Sequence, residues 1–461
     1  MGDNARAKSP GADEILVVGA GISGLYAALL LARRGARARV IEKGSSLFGL
    51  AGAELFRGIP CDLGSHRLHP EALEMPLFRE IHAARPFLTR PRRGVLLLGG
   101  RRLPYPPSAP AWLAALGLTT SLSVAAALTR SARRRAFRGW EEDRAETDEA
   151  RDIGFERFVT ERVGTRAYRA FYRPYAEKVW GIDPRELSQL VAKKRVSTER
   201  PLALAARAAA SLLGMEPEGR RIDRFVYPPR GITSITAYLE EQLAKACVSI
   251  ERGRAFGPED ARGQVTLFAG DLDALTKTTL EHRGLYLVYL ALPTARVSAA
   301  ETYYSPDPAH WFGRVSELQN YSPELKRPGE TILCVEIPEG AHGKGIDFSR
   351  GERLAELLDQ LTRAGITPRR LGAPLEVRQR FVPRVYPLYR RGFLGAFREA
   401  MREIKALGRV FPFGRQALFL HCNLDHCATI AEDVVSHVLA GNSVEAWIAK
   451  AEAYLELRVR D

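Results

Sequence analysis

The stretch ILVVGAGISGLYAALLLARRGARARVIEK, residues 15–43, decides the fold class of this 461-residue chain. It begins with a short apolar run that is typical of a buried strand, passes through a glycine-rich turn into an apolar helical segment, and ends in a second strand. This order of strand, turn, helix and strand predicts one complete βαβ unit at the start of an α/β fold.

Three glycines in this unit, Gly19, Gly21 and Gly24, form the pattern G-x-G-x-x-G. In dinucleotide-binding folds the first glycine permits a tight turn, the second lets a pyrophosphate approach the backbone, and the third lets helix and strand pack closely. Ile22 and Ser23 lie between these glycines, and the N-terminus of the helical segment LYAALLLARRG that follows is expected to hold the anion. The pattern in this context predicts a dinucleotide site.

Glu42 ends the second strand, 18 residues after Gly24. A carboxylate at this place accepts hydrogen bonds from the two hydroxyl groups of a ribose and disfavours a 2′-phosphate. The residues themselves therefore predict FAD or NAD, and they leave the choice between the two open.

Two neighbouring segments resemble the glutathione-reductase-like flavoproteins. Residues 42–52, EKGSSLFGLAG, are similar to their stretch that begins with E-K and ends with G-G-L-A-G, and residues 61–70, CDLGSHRLHP, are similar to their D-x-G-G-H segment beside the flavin. Phe48 and Ser65 stand where those patterns have glycine. The resemblance implies that the flavin nucleotide contacts Lys43, Gly49, Leu50, Gly64, Ser65 and His66.

The far end of the chain carries a second resemblance. Residues 408–435, GRVFPFGRQALFLHCNLDHCATIAEDVV, resemble the C-terminal flavin motif of the UDP-galactopyranose mutase and protoporphyrinogen-oxidase-like proteins. In that motif a helix begins after N-M-D, and its first N–H groups can face the flavin pyrimidine edge, where a reduced flavin gathers negative charge. The match implies flavin contacts at Gly414, Arg415, Asn423 and Leu424.

A central segment, residues 171–197, resembles the K-V-W-G-x-x-P-x-E-[IL]-S segment of the same group. Matches therefore run from about residue 15 to about residue 435. The chain resembles the FAD-dependent amine-oxidase-like superfamily, on the branch near UDP-galactopyranose mutase and bacterial protoporphyrinogen-oxidase-like proteins. The resemblance implies FAD as the cofactor. Since no second glycine-rich βαβ unit occurs between the flavin segments, a separate domain for NAD(P)H is not expected.

The resemblance also implies a domain organisation within the α/β class. We expect a glutathione-reductase-like FAD-binding Rossmann domain, a sheet-based substrate domain and a helical cap. A strand near Ala255 is expected to lie against the adenine of FAD. The expected segments are 1–85, 225–275 and 406–461 for the FAD-binding domain, 86–224 for the cap, and 276–405 for the substrate domain.

Two groups of residues are candidates for chemistry on a substrate. His66 and His69 resemble the G-x-H-x-x-H of the mutases, which makes His66 the candidate catalytic or flavin-tuning residue; a histidine that only satisfies loop carbonyls is the alternative. Arginine forks bind anions and tyrosines supply directional hydroxyl groups. A wall for an anionic small-molecule substrate is therefore predicted, with a solvated strand face as the alternative, at Arg378, Arg384, Tyr386 and Tyr389.

Three functions agree with these observations. The first is an FAD-dependent oxidoreductase that accepts a hydride from an organic substrate at flavin N5. The second is a redox-neutral mutase of a nucleotide-sugar, in which reduced flavin N5 is the nucleophile. The third is a membrane-peripheral or partner-binding protein that keeps the flavin fold without turnover.

The net charge of +14 is concentrated in two segments. Residues 85–138 hold eleven arginines and no acidic residue, and residues 363–391 hold eight arginines and one acidic residue. The sequence contains no zinc-finger spacing, RNA-binding aromatic motif or basic zipper, so a nucleic-acid partner is not expected. Local anion sites, or peripheral contact of the arginine-rich cap with anionic lipid, fit this distribution better.

The remaining signals concern location and metals. Five cysteines are an odd number without a C-x-x-C pair, which favours a reducing cytoplasm. The uncharged run within residues 103–129 is interrupted by prolines and hydroxyl residues, which favours a cap helix over a membrane-spanning one. His421 and His426 lie within the flavin-like motif without further ligands at metal spacing, so no metal site is expected.

Overall fold

The computed structural model describes residues 14–105, 152–195 and 224–459. The strands in these ranges are β1 (Ile15–Val18), β2 (Ala38–Glu42), β3 (Ala53–Phe56), β4 (Ile59–Asp62), β5 (Leu88–Pro91), β6 (Gly94–Leu98), β7 (Arg101–Tyr105), β8 (Arg224–Tyr227), β9 (Ser249–Arg252), β10 (Thr266–Phe268), β11 (His282–Leu292), β12 (Thr302–Tyr304), β13 (Arg314–Glu317), β14 (Thr331–Pro338), β15 (Glu376–Pro387) and β16 (Val410–Pro412). The α-helices are α1 (Ile22–Arg33), α2 (Pro76–Ala84), α3 (Phe155–Ala167), α4 (Arg173–Trp180), α5 (Gln189–Arg195), α6 (Thr233–Lys245), α7 (Gly351–Arg363), α8 (Phe393–Ala406), α9 (Gly414–Ala417), α10 (Leu424–Leu439) and α11 (Val444–Glu452). A π-helical turn, Tyr168–Tyr172, joins α3 to α4.

The chain divides into two compact units, each assembled from separate segments. The first unit consists of Met1–Ala51, Thr236–Thr279 and Phe397–Leu455. The second unit consists of Gly52–Ile235, Leu280–Ala396 and Glu456–Asp461. The chain therefore enters the first unit three times.

A five-stranded parallel sheet forms the centre of the first unit. Its strand order is β16-β10-β1-β2-β9, with β1 in the middle. A strand that has a neighbour on each side and helices on both faces is buried on both faces, so its sequence is a continuous apolar run. This explains why β1 is buried along its whole length and shows no alternation of polar and apolar residues.

Helix α1 follows β1 after the glycine turn and contacts β1, β2 and α10. Its apolar residues are buried on most of the helix surface, including Leu25, Ala28 and Leu31. The hydroxyl of Tyr26 donates a hydrogen bond of 2.7 Å to Glu432 of α10. A surface helix has apolar residues on one face only, whereas α1 is buried on several sides. This explains why its sequence is apolar almost throughout.

A seven-stranded sheet forms the centre of the second unit, in the order β15-β11-β14-β13-β12-β6-β7. Its neighbouring strands are antiparallel except β12 and β6, which are parallel. Helix α7 packs against the sheet through Leu357 and Leu361, which join a core with Val288 and Val335. Two smaller antiparallel pairs, β3-β4 and β5-β8, complete the strands of this unit.

The predicted fold class is confirmed: the protein is α/β, with a Rossmann-like unit and a separate unit built on a multi-stranded sheet. The segment boundaries differ from those expected. The first segment of the Rossmann-like unit ends at Ala51, where 85 was expected, and its later segments are Thr236–Thr279 and Phe397–Leu455. Residues 52–85 belong to the second unit because they hold its β3-β4 pair and α2.

The start of the expected helical cap is wrong in its secondary structure. Residues 88–105 form β5, β6 and β7, not helices. Gly99 and Gly100 both have positive φ, 57° and 71°, which makes the two-residue hairpin between β6 and β7 possible. Helices follow from Phe155, whereas most of the remaining cap, residues 106–151 and 196–223, lies outside the described residues.

Within the described ranges no helix is both long and apolar enough to span a membrane. The uncharged run at residues 103–129 lies outside the description except for its first three residues, which belong to β7.

Candidate functional site

The glycine turn of the first unit is built from β1 and the first turn of α1. Gly19 has φ +92°, and its N–H donates a hydrogen bond of 2.8 Å to the carbonyl of Ile41. A methyl group on Gly24 would lie 1.9 Å from the carbonyl oxygen of Gly19, so the helix and the turn touch at this position. The turn therefore requires glycine at both places.

Gly21 differs from the other two glycines. It is the N-cap of α1, with an ordinary φ of −71°, and a methyl group there would have no atom within 4 Å. No side chain caps α1, and its first turn contains no acidic residue. The space beside Gly21 and the N-terminus of α1, which begins with Ile22 and Ser23, can thus receive an anion such as a pyrophosphate.

Glu42 holds the turn in place through both of its carboxylate oxygens. The N–H of Ala20 donates to Oε2 and the N–H of Gly44 donates to Oε1, each at 2.8 Å. A carboxylate offers about four lone-pair sites, so two such bonds leave acceptor capacity for a ribose diol. Next to it, Lys43 pairs with Asp271, which follows β10.

The carboxyl ends of all five strands of the first sheet meet at one edge, because the sheet is parallel. Ala255 lies exposed at this edge, just after β9. Gly414 follows β16 with φ +76°, and a methyl group on it would lie 2.9 Å from the hydroxyl of Ser23. The last segment of the first unit therefore closes against the first turn of α1.

The segment after β2 also runs beside the turn. The N–H of Phe48 donates to the carbonyl of Ala20 at 2.7 Å, and Gly49 and Leu50 follow in a short 3-10 turn. Phe48 has φ 73°, in the region that favours glycine. The residue that departs from the flavoprotein pattern thus keeps the backbone conformation that a glycine would have.

The start of α10 is arranged by its own polar residues. Asn423 is the N-cap, and its N–H donates to His426 Nδ1 at 3.2 Å, while Leu424 is the first helical residue. The guanidinium of Arg415, in α9, donates to the carbonyl of Cys422. His426 therefore has a capping role, and the described residues contain no group of three potential metal ligands.

The second unit places Gly64, Ser65 and His66 in the loop after β4. Asp62, at the end of β4, is buried and accepts hydrogen bonds from the Tyr227 hydroxyl at 2.8 Å and the Ile232 N–H at 2.9 Å. Burial raises the pKa of Asp62 to about 7. Gly64 has φ +95°, and His66 is half-buried. The loop is thus fixed at its start by a buried acid.

Beside this loop lies a cluster of buried and half-buried charged and hydroxyl groups, which we call the arginine cluster. Arg67 donates to Glu301 at 3.2 Å and to the Tyr304 hydroxyl, and Arg314 donates to both oxygens of Glu336 at 2.7 Å. A hydroxyl network joins it to the loop, since Tyr321 lies 3.0 Å from Ser65, 2.7 Å from Thr302 and 3.0 Å from Ser316. The members are Ser65, Arg67, Glu301, Thr302, Tyr304, Arg314, Ser316, Tyr321 and Glu336.

Both guanidinium groups of the arginine cluster stay charged. Burial lowers the pKa of Arg67, but the neighbouring Tyr304, Tyr321 and Glu301 raise it above its ordinary value. Burial also lowers the pKa of Arg314, but its neighbours, Glu336 foremost, hold this pKa well above its ordinary value. Sequence reasoning missed this cluster, although Glu336 is the single acidic residue in the apolar strand β14 and could have signalled a buried partner.

The predicted substrate wall on β15 separates into different environments. Arg378 donates to the carbonyl of Leu55 at 2.8 Å and pairs with Glu376, whereas Arg384 has φ 56° in an irregular part of the β11-β15 pairing. Tyr386 interacts electrostatically with Arg314. Tyr389 is buried and packs against Phe393 with ring centres 4.7 Å apart. Of the four, Tyr386 is the residue that the structure places beside the arginine cluster.

Lys178 of the K-V-W-G segment is buried in the second unit and fixes a loop. Its Nζ lies 2.9 Å from the carbonyl oxygen of Ser305, 2.5 Å from that of Asp307 and 3.1 Å from that of Phe312, and the charged form can donate to all three. Burial lowers the pKa of Lys178 from 10.5 to about 7. The matching segment therefore contributes a buried amine that holds the backbone between β12 and β13.

This burial predicts a pH dependence of stability. Between about pH 7 and pH 10 the unfolded chain keeps the Lys178 proton that the folded chain has lost, so stability should rise with pH by up to about 1.4 kcal/mol per pH unit. We expect the difference in unfolding free energy between the wild type and Lys178→Met to rise across this range in denaturant titrations. A difference that stays constant with pH would contradict the assignment.

Comparisons with known proteins agree with this architecture. Residues 17–80 match the family described as NAD(P)-binding Rossmann-like domain. No curated protein matches the chain in sequence. Among solved structures, reduced UDP-galactopyranose mutase is similar with a TM-score of 0.77 and 18% identity, over 97% of this chain and 98% of that one.

Two further structures share the fold. A protein from Exiguobacterium sp. 255-15, assigned as a protoporphyrinogen oxidase, has a TM-score of 0.65 and 16% identity over 94% of this chain and all of that one. Putrescine oxidase bound to putrescine has a TM-score of 0.58 and 15% identity, over 93% of this chain and 99% of that one. The predicted resemblance is thus confirmed at the level of the fold: the chain shares the fold of these three structures and contains a Rossmann-like domain.

Proposed function

We propose that the protein is an FAD-dependent oxidoreductase that accepts a hydride from an organic, anionic substrate at flavin N5. The observation that carries the cofactor proposal is the contrast among the three glycines. Backbone atoms crowd Gly19 and Gly24, whereas the space at Gly21 is open. A pyrophosphate needs this open space beside the N-terminus of a helix.

The C-terminal segment supports FAD over NAD. Gly414 lies against Ser23 of α1, and the segment from Gly414 to Asn423 is the one that resembles a flavin motif. Glu42 would bind the ribose, the first turn of α1 the pyrophosphate, and the first N–H groups of α10 the flavin. FAD, when bound, supplies a hydride acceptor at N5.

The arginine cluster supports an anionic substrate. A guanidinium has five N–H donors, and Glu336 uses two of the nitrogens of Arg314, so donors remain for a second anion. The hydroxyl of Tyr386 adds a directional group near Arg314. His66 stays the proposed catalytic residue because its loop adjoins this cluster through Ser65.

A redox-neutral mutase of a nucleotide-sugar is the second candidate. It is favoured by the fold likeness to UDP-galactopyranose mutase, which extends over 97% of the chain. A diphosphate also suits two charged arginines. The fold by itself does not select a reaction, since one fold hosts many.

Gly21→Ala tests the cofactor proposal. The fold tolerates a methyl group here, because no protein atom lies within 4 Å, but the methyl group would occupy the place of the pyrophosphate. We expect the apoprotein of the variant to melt at the same temperature as the wild-type apoprotein. The purified variant should contain at least tenfold less FAD than the wild type. A variant that purifies with as much FAD as the wild type would show that the cofactor lies elsewhere.

The reaction of the photoreduced protein with air separates an oxidase from a dehydrogenase or a mutase. Rapid return of the oxidised flavin absorbance would support an oxidase and direct substrate tests to amines, alcohols and porphyrinogen-like reductants. Slow return would support a dehydrogenase or the mutase, and nucleotide-sugars would be tested next. Turnover of His66→Ala, measured with the substrate that these tests identify, tests the role of His66, since unchanged turnover would reduce it to a loop residue.

The location and partners stay predictions from the sequence. These are a cytoplasmic location, the absence of a nucleic-acid partner, and peripheral lipid contact through residues 85–138. Most of that segment lies outside the described residues. Sedimentation with anionic liposomes that disappears at high salt would support the lipid contact.

A further inference from the structure

Two cysteines of the first unit lie side by side where α10 begins. The sulfur atoms of Cys422 and Cys427 are 3.8 Å apart, and both side chains are buried thiols. Cys422 directly precedes the cap residue Asn423, and Cys427 lies in the first turn of the helix, with its N–H bonded to the carbonyl of Asn423 at 3.1 Å. The path of the chain through the cap brings the two thiols together.

We propose that Cys422 and Cys427 are a redox-active dithiol, which peroxide converts reversibly to an intramolecular disulfide. A disulfide has a sulfur–sulfur distance of about 2.05 Å, so the two atoms must approach by about 1.8 Å. A change of side-chain rotamer supplies a movement of this size without unfolding the helix.

Cys427 is the nucleophile of the pair. The hydrogen bond from Cys422 lowers the pKa of the Cys427 thiol, and Ser23 and Arg415 lower it further, against burial and the nearby Asp425, which raise it. The first turn of a helix also favours a thiolate. Since a thiolate attacks and a thiol does not, Cys427 reacts first and Cys422 resolves the product.

The reaction balances with hydrogen peroxide as the oxidant. The Cys427 thiolate attacks one peroxide oxygen, the O–O bond breaks, and the hydroxide that leaves takes up a proton to form water. The sulfur of Cys422 then attacks the sulfenic acid of Cys427, and a second water leaves as the disulfide forms. Two thiols lose two electrons in total, peroxide gains them, and a reducing dithiol reverses the change.

Closing the disulfide has a consequence for the glycine turn. It removes Cys427 as the hydrogen-bond partner of Ser23, which lies in the first turn of α1 and close to Gly414. We expect FAD to dissociate several-fold faster from the oxidised protein. This consequence rests on the proposed function, whereas the disulfide itself does not.

Peptide mapping of the full chain tests the proposal. Trypsin cuts after Arg415 and Lys450, and both cysteines lie on the resulting peptide, residues 416–450, while the other three cysteines lie elsewhere. After mild peroxide treatment and alkylation, we expect this peptide to be unalkylated and two hydrogen atoms lighter. After reduction it should carry two alkyl groups, and the chain as a whole should lose two of its five thiols.

Two variants sharpen the result. In Cys422→Ser, Cys427 has no resolving partner, so a sulfenic-acid probe should label it. Cys247→Ser removes the exposed cysteine and should leave the disulfide unchanged. The proposal would be overturned if the wild-type peptide remained doubly alkylated in two experiments. One uses peroxide doses that oxidise Cys247, and the other equilibrates the protein with a series of ratios of reduced to oxidised dithiothreitol. Unchanged FAD release from a chain that does form the disulfide would overturn only the consequence.

Discussion

Replacing Gly24 with alanine is expected to destabilise the first unit strongly. The added methyl group would lie 1.9 Å from the carbonyl oxygen of Gly19 and 3.1 Å from its carbonyl carbon. These are backbone atoms of a turn that is itself bonded to β2, so a side-chain movement cannot relieve the contact. Overpacking of this kind costs about 1–3 kcal/mol and occasionally more, and we expect the upper end here.

Thermal unfolding and FAD content of Gly24→Ala check this expectation. The variant should either be insoluble or melt well below the wild type, and it should not retain dinucleotide. Gly395→Ala is the matched control, because Gly395 is an exposed residue of α8 with no atom within 4 Å of an added methyl group. That change should be neutral or slightly stabilising. If both variants melt alike, the tight contact between α1 and the turn is wrong.

Replacing Arg67 with alanine is expected to destabilise the second unit by about 3–5 kcal/mol, because it leaves a buried charge without its partner. The side chains of Arg67 and Glu301 are 7% and 3% exposed. Glu301 would keep the Arg93 N–H as a donor at 2.7 Å but would lose the guanidinium that compensates its charge. Burial already raises the pKa of Glu301, and the loss of Arg67, which lowers it, should raise it further.

Denaturant titration of Arg67→Ala against Arg185→Ala tests this assignment. Arg185 also pairs with an acid, Asp183, but its side chain is 75% exposed, so its removal should cost far less than that of Arg67. Adding Glu301→Gln to Arg67→Ala should recover part of the loss, since it removes the uncompensated charge. Equal costs for the two alanine variants would contradict the buried pair.

Local patterns in the sequence predicted the first unit well. The β1 strand, the glycine turn, α1 and Glu42 follow one another within 30 residues, so their contacts are set by neighbours along the chain. The order of strands could not be obtained in this way, because β10 pairs with β1 from more than 200 residues away and β16 then pairs with β10. Phe48 shows the same limit. Its positive φ accompanies the hydrogen bond from its N–H to the carbonyl of Ala20, whereas a phenylalanine by itself disfavours a positive φ.

The second unit was predicted less completely. The hairpin of β6 and β7 carries a Gly-Gly signal, but the arginine- and alanine-rich composition of the surrounding segment favoured helices. The arginine cluster depends on pairs such as Arg67 with Glu301, which are more than 230 residues apart.

The cysteine pair of the first unit, Cys422 and Cys427, was missed for a different reason. Its spacing predicts contact between the two thiols only once the cap of α10 is known.

The most direct test of the account is the identity and amount of cofactor released when the purified protein is denatured. We predict one FAD per chain and no nicotinamide dinucleotide, with FAD absent from Gly21→Ala. A protein that purifies without flavin, fails to bind added FAD, and binds NAD at the glycine turn instead would contradict the central claim.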